Sequence, residues 1–154
     1  MPMKSLKCEE LAKLNLNPAD FDRVYSLNEN NSVLCYLRGY LNGFISNGKV
    51  ITAASFTPDA RIIAKNFILA HRYKNIPHYN VSVLLDAHTG EELVENFDAY
   101  FIQGHYLAFR VNGADMPSHR WGIYSLTEHK MVHTPTLKYE HIHKYVDSLM
   151  GKEE

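Results

Sequence analysis

Cysteine is scarce in this chain and long apolar runs are missing, and each shortage excludes a class of protein. The two cysteines, Cys8 and Cys35, are too few for a disulfide framework, and they are not in CxxC spacing. No run approaches the roughly 18 apolar residues that a membrane-spanning helix requires. Residues 1–7 lack the apolar core of a signal peptide. The sequence therefore predicts a cytoplasmic protein, in the host cytoplasm if the protein is viral.

An excess of charge of either sign is missing as well. The formal net charge is −1, and 21% of the residues are charged against 45% hydrophobic. Such a balanced chain creates no overall field that would attract nucleic acid or an anionic membrane. We therefore predict a globular protein that has neither nucleic acid nor a membrane as its partner.

The first half of the chain has the spacing of helices. Apolar residues recur every third or fourth position in residues 32–46, and Gly39 and Gly43 add a stripe of small side chains to that predicted helix. Thr57-Pro58-Asp59 has the residues of a helix start, a cap followed by proline and an acid, and predicts a helix that runs to about Tyr73. Asn17-Pro18-Ala19-Asp20 repeats that signature.

After residue 79 the period changes from helical to alternating. Val81, Val83 and Leu85 share one face of a predicted strand, and Gln103-Gly104 predicts a tight connection between two more strands. A last helix is predicted from about residue 137 to residue 150. The expected fold is α+β, with N-terminal helices, then an antiparallel β-meander of about five or six strands covered on one face by helices, and a C-terminal helix. Its length predicts one globular domain over residues 1–154.

The usual catalytic and nucleotide-binding signatures are missing, so candidate catalytic residues come from position alone. The sequence contains no GxGxxG, P-loop, GxSxG or HExxH pattern. His105 aligns with Leu107 on the apparent core face of its strand, where burial could tune it for acid–base work. Glu91 and Asp86, near the first predicted hairpin, are the candidate supporting carboxylates; a solvated strand edge is the plainer explanation for them.

The nine histidines raise the possibility of a metal site, but their spacing argues against it. His141 and His143 are two residues apart on a predicted helix, so their side chains point about 200° apart. We predict no metal site and no cofactor.

Two sets of residues are candidates for binding. Arg61, Lys65 and Arg72 fall on one side of the predicted helix and could meet a phosphate or an acidic partner, although such a stripe is usually a solvated face. Tyr106 and Arg110 lie on the strand face away from Leu107, and Tyr124 is expected to share it. Tyrosine is enriched at interfaces because its ring is apolar and its tip polar.

Two functions follow from these patterns. The first is a small cytosolic binding or regulatory protein without catalysis, which acts on an unknown protein or small-molecule ligand. The Gly39 and Gly43 stripe is a candidate surface for a homo-oligomer of this protein. The alternative is a small hydrolase or lyase that uses His105 as a base beside a carboxylate. The sequence leaves both open. A third function, nucleic-acid binding through Arg61, Lys65, Arg72 and Arg110, is disfavoured by the nearly neutral net charge.

Overall fold

The computed structural model describes residues 5–73, 80–111 and 120–152. Within these ranges the chain forms eleven β-strands, two α-helices and one 3₁₀ helix, and the strands pair antiparallel. The predicted α+β arrangement, with N-terminal helices covering a meander, is therefore wrong, because most of the predicted helical region is strand. The chain divides into two compact units, Met1–Leu93 and Val94–Glu154. The single domain over residues 1–154 stays a prediction.

The first unit contains seven strands that follow one another as antiparallel neighbours in two groups. The first group comprises β1 (Arg23–Ser26), β2 (Val33–Arg38), β3 (Leu41–Ser46) and β4 (Lys49–Val50). The second comprises β5 (Arg61–Ile63), β6 (Phe67–Tyr73) and β7 (Asn80–Asp86). Before them stand helix α1 (Cys8–Lys13) and the 3₁₀ helix Pro18–Asp20, which Asn17 caps by accepting a hydrogen bond from the Ala19 amide at 3.1 Å.

Residues 32–46, predicted as the strongest helix, form the hairpin of β2 and β3 instead. Gly39 and Tyr40 make the two-residue turn between them, and Gly39 has a φ of +68°. Asn47 and Gly48, with φ of +51° and +78°, make the next turn, in the conformation that Asn-Gly favours in hairpins. Both faces of β2 and β3 are largely buried, which removes the alternation expected of a strand.

The two faces of β2 and β3 contribute to two separate hydrophobic clusters in the first unit. On one face, Cys35 and Phe44 pack with residues of β6 and β7 such as Ile68. On the other, Leu34 and Ile45 pack with the N-terminal segment; the residues of that segment are Leu6, Leu11 and Leu16. The sheet is therefore the middle layer of this unit, and this explains why its strands read as continuous apolar runs.

A glycine beneath an aromatic ring recurs in both units. Gly43 of β3 lies directly across from Tyr36 of β2, and a Cβ at Gly43 would come 2.3 Å from the Tyr36 ring. In the second unit Gly122 lies across from Phe109, and a Cβ there would come 2.6 Å from that ring. Gly43 is thus a packing residue within a strand, and the predicted helical stripe with Gly39 does not exist.

The helix predicted from Thr57 to Tyr73 is also wrong, since this segment contains the β5–β6 hairpin. Ala64 and Lys65, with φ of +48° and +66°, make its turn in the left-handed region that non-glycine residues rarely occupy. Neither residue type indicates a turn in the sequence. Thr57, the predicted helix cap, has another role: its amide donates a hydrogen bond to the His71 carbonyl at 2.8 Å and holds this segment beside β6.

The second unit is a four-stranded meander with one helix on it. Its strands are β8 (Glu92–Gln103), which begins in the last residues of the first unit, β9 (Tyr106–Val111), β10 (Trp121–Ser125) and β11 (Lys130–Leu137). Helix α2 (Tyr139–Lys152) is the C-terminal helix that the sequence predicts, and it buries Ile142 and Val146 against β9 and β10. Neither α-helix of the described ranges is long and apolar enough to cross a membrane.

Candidate functional site

The residues predicted for catalysis have other surroundings in the structure. The Asp86 carboxylate accepts hydrogen bonds from the amides of His88, at 2.7 Å, and Thr89, at 3.1 Å, and so closes the turn after β7. Glu91 is exposed in the same turn. His105 lies in the turn between β8 and β9 and is exposed, so its predicted place on the core face is wrong. The buried run of β9 begins only at Tyr106, one residue after His105.

The predicted basic stripe is dispersed, since it depended on a helix that is absent. Arg61 lies on β5, Lys65 in the following turn and Arg72 on β6. The register pairs Arg61 with Leu69, so Arg61 and Arg72 are on opposite faces of the hairpin. The Arg72 guanidinium forms an ion pair with Glu92 and lies 5.7 Å above the Phe56 ring. Its charge is therefore compensated within the first unit.

The predicted tyrosine surface on β9 is wrong as well. Tyr106 and Arg110 do share a face, but Tyr106 is buried under α2. Arg110 forms a two-pronged ion pair with Asp98, with N–O distances of 2.8 and 3.2 Å. Tyr124 is buried and pairs with Leu107, so it lies on the opposite face. These tyrosines serve the core of the second unit rather than an exposed surface.

A different group of rings lies together on the second unit, and two of its members, Tyr139 and His143, are exposed. We call it the aromatic row: Phe101 from β8, Trp121 from β10, and Tyr139 and His143 from α2. The rings of Phe101 and His143 stack at 4.4 Å with 13° between their planes. Tyr139 contacts Trp121 at 5.6 Å and His143 at 6.0 Å between ring centres. The side chains of the row thus form one continuous set of contacts.

Local helix geometry explains how the row is assembled. Tyr139 and His143 are four residues apart on α2, so they lie on the same side of the helix. The neighbouring stripe of Ile142 and Val146 is buried and fixes the rotation of the helix on the sheet. Tyr139 remains 57% exposed although its ring is already in contact with Trp121. The Trp121 indole nitrogen is buried and finds no acceptor among the described residues.

The first unit holds a second constellation, which joins a serine, a histidine and an aspartate. Ser82 and His71 face each other across β7 and β6, with Ser82 Oγ 2.8 Å from His71 Nδ1. The other ring nitrogen, Nε2, lies 3.9 Å from an Asp59 carboxylate oxygen. Thr57 donates its hydroxyl proton to that same carboxylate. The imidazole therefore stands between a hydroxyl and a carboxylate.

Sequence reasoning overlooked both constellations. The four residues of the row are far apart in sequence, and only the spacing of Tyr139 and His143 on the predicted helix indicated a shared side. Ser82 and His71 meet through the register of β6 and β7, which could not be foreseen while residues 57–73 were taken as helix. As for metals, no group of three or more histidine, cysteine, aspartate or glutamate side chains in the described ranges could hold an ion.

Cys35 is the one described cysteine that is buried, and its environment suppresses its chemistry. Burial raises the pKa of the Cys35 thiol to about 11, while a hydrogen bond from the Asn42 amide at 3.3 Å offsets part of that effect by favouring the thiolate. Cys8 is exposed. At neutral pH the Cys35 thiol is therefore protonated and shielded, which does not suit a nucleophile.

We expect this burial to appear in the pH dependence of stability. The unfolded thiol, with a pKa near 9, ionises at lower pH than the folded one. The contribution of Cys35 to the free energy of unfolding is therefore fully present below pH 9 and is lost as the pH rises towards 11. The expected loss due to Cys35 is about 2–3 kcal/mol. Urea unfolding of the wild-type protein and of Cys35→Ala at pH 8 and pH 10.5 separates the contribution of Cys35 from that of tyrosine and lysine ionisation. An equal change in the free energy of unfolding between the two pH values in both proteins would contradict the assignment of this loss to Cys35.

Comparison with known proteins supplies no family for this chain. It matches no family model, no curated protein and no solved structure. The geometry of the two constellations, the aromatic row on the second unit and the Ser82–His71–Asp59 line on the first, is therefore the basis for assigning a function.

Proposed function

We propose that this chain is a cytoplasmic binding or regulatory protein that holds a protein partner through the aromatic row. The observation that carries this proposal is the exposure of Tyr139, a large ring that is 57% accessible yet held in place by Trp121 and His143. A ring that is fixed before binding loses little conformational freedom in the complex. Aromatic anchors of this kind dominate the energy of many interfaces.

The polar groups around the row indicate the chemistry of the partner. Arg110, which lies opposite Trp121 in the sheet, is engaged with Asp98, so it offers no free charge for an acidic ligand. His143 and Tyr139 present ring faces and edges, and these suit apolar side chains. The row therefore fits an extended apolar segment of another protein, for which a second copy of this chain is one source.

Two further observations support the proposal. The charged residues that the sequence offered for chemistry, such as Asp86 and Arg72, have structural partners within their own unit. Both described cysteines are free thiols, which suits the reducing cytoplasm.

Replacing Tyr139 by serine tests the proposal. We expect Tyr139→Ser to weaken partner binding about 30-fold, the effect of losing roughly 2 kcal/mol at an interface anchor. A photo-crosslinking amino acid at position 139 first identifies the partner in cytosolic extract, and isothermal titration with the purified partner then gives the affinity. Sedimentation shows whether that partner is a second copy of this chain.

Tyr40 provides the matched control. It is 91% exposed in the turn between β2 and β3 and lies outside the row. Tyr40→Ser removes the same ring from the surface and should leave the affinity unchanged. The proposal fails if the two variants bind equally well, or if position 139 captures nothing that position 40 does not also capture.

A small hydrolase or lyase is the second candidate function, and it finds no support at His105, which is exposed in a turn. The observation that favours it is the short contact between His71 and Ser82.

A further inference from the structure

We propose that Ser82 is a nucleophile for acyl transfer, that His71 is its general base and that Asp59 positions His71. This inference rests on the second candidate function and is independent of the aromatic row. Three geometric facts support it: the length of the Ser82–His71 contact, the order of the three groups and their graded exposure.

The contact between Ser82 and His71 has the length that general-base activation requires. A serine hydroxyl is a weak nucleophile unless a base within about 2.6–3.2 Å takes its proton. The distance from Ser82 Oγ to His71 Nδ1 is 2.8 Å. Because the two residues are direct partners in the β6–β7 ladder, the backbone holds them together.

The third group stands on the far side of the imidazole. An Asp59 oxygen lies 3.9 Å from His71 Nε2, longer than a hydrogen bond but within ion-pair range. The Thr57 hydroxyl is bonded to Asp59, and the Thr57 amide to the His71 carbonyl, so the Asp59 segment is fastened to β6. Catalytic contacts of a free enzyme often tighten when substrate binds. The carboxylate is thus placed to stabilise an imidazolium ion.

Exposure rises along the line from the nucleophile to the carboxylate. Ser82 is 7% exposed, whereas the side chains of His71 and Asp59 are 23% and 65% exposed. Water reaches the base and the carboxylate, whereas Ser82 is nearly shielded from solvent. This gradient limits the substrate to a small acyl group, such as the acetyl group of an activated ester.

The reaction balances with water as the only co-reactant. The Ser82 oxygen bonds to the acyl carbon as its proton moves to His71 Nδ1, and the bond from that carbon to the leaving oxygen breaks. The leaving alkoxide takes the proton from His71 and departs as the alcohol. Water then attacks the acyl-serine, gives a proton to His71 and releases the carboxylic acid, while the Ser82 oxygen recovers its proton.

An alkyl fluorophosphonate probe tests the nucleophile in the wild-type chain. We expect one probe per chain, on the peptide that contains Ser82 in a mass spectrum. His71→Gln should slow labelling at least 100-fold, the scale of general-base catalysis. Asp59→Asn should slow it about 10-fold and Asp59→Glu should restore most of it, because only a carboxylate orients the ring. Circular dichroism verifies that each variant is folded.

The controls distinguish labelling of an activated Ser82 from non-specific labelling. Ser125→Ala removes another buried serine and should leave labelling unchanged. Labelling of other residues, labelling that does not depend on His71 or no labelling at all would overturn the proposal. Hydrolysis of p-nitrophenyl acetate, measured in parallel, tests the second candidate function. Labelling of Ser82 without hydrolysis of this ester would support Ser82 as a nucleophile and would exclude a hydrolase.

Discussion

We expect Gly43→Ala to lower the free energy of unfolding of the first unit by about 3 kcal/mol, as an overpacked site with one broken hydrogen bond. The new Cβ would lie 2.3 Å from Cζ of Tyr36 and 2.4 Å from its hydroxyl oxygen, so the ring has to move. That hydroxyl donates to the Thr52 carbonyl at 2.6 Å, and movement of the ring breaks the bond. Urea unfolding followed by far-ultraviolet circular dichroism measures the loss.

Two variants show that the steric contact with Tyr36 causes this loss. Gly151→Ala is the same chemical change at a helical position where a Cβ meets nothing within 4 Å, and it should be neutral or slightly stabilising. In a Tyr36→Leu background, Gly43→Ala should cost less than about 1 kcal/mol, because the ring that it strikes is gone. An undiminished cost in that background would contradict the explanation.

Ile142→Asp should undock helix α2 from the second unit. Ile142 is fully buried between α2 and the strands, and a carboxylate there has no cationic partner among the residues of its cluster. Burying an unpaired charge is costly enough that we expect a loss on the order of 4–5 kcal/mol. Trp121, the only tryptophan of the chain, packs in the same cluster. Its fluorescence emission should therefore shift to longer wavelength as water reaches the indole.

His141→Asp controls for the new negative charge. It places the same side chain one residue earlier in α2, at an exposed position. We expect little change in stability and an unshifted Trp121 emission. An equal effect at both positions would mean that helix electrostatics, rather than burial of Ile142, holds α2 in place.

The sequence predicted the second half of the chain better than the first, because turn residues mark the ends of its strands. The turn that contains Gly90 follows β7 and Gly104 precedes β9, although both strands are largely buried on both faces. Helix α2 was expected within two residues of its observed start. In β2 and β3 both faces are largely buried, so the apolar residues left no period of two to read. The signal that could have corrected this was Asn47-Gly48, a strong hairpin turn that was taken for a helix stop.

Other features could not be foreseen from local pattern. Ala64 and Lys65 turn the chain in a conformation that neither residue prefers, and only Asn66 beside them is a residue typical of turns. That turn is the reason Arg61 and Arg72 do not share a face. The constellation of Ser82 and His71 depends on strand register, which short apolar runs leave undetermined. Tyr139 and His143 were visible as a helix pair, but their contacts with Phe101 and Trp121 depend on tertiary packing.

The meander order of both units has a consequence for how the chain reaches this structure. In the described ranges each strand pairs within its unit with the strand just before or just after it in the chain. Closing such short loops costs little chain entropy, and low contact order accompanies fast folding. During synthesis each hairpin can therefore form as soon as its second strand leaves the ribosome, without waiting for a distant segment.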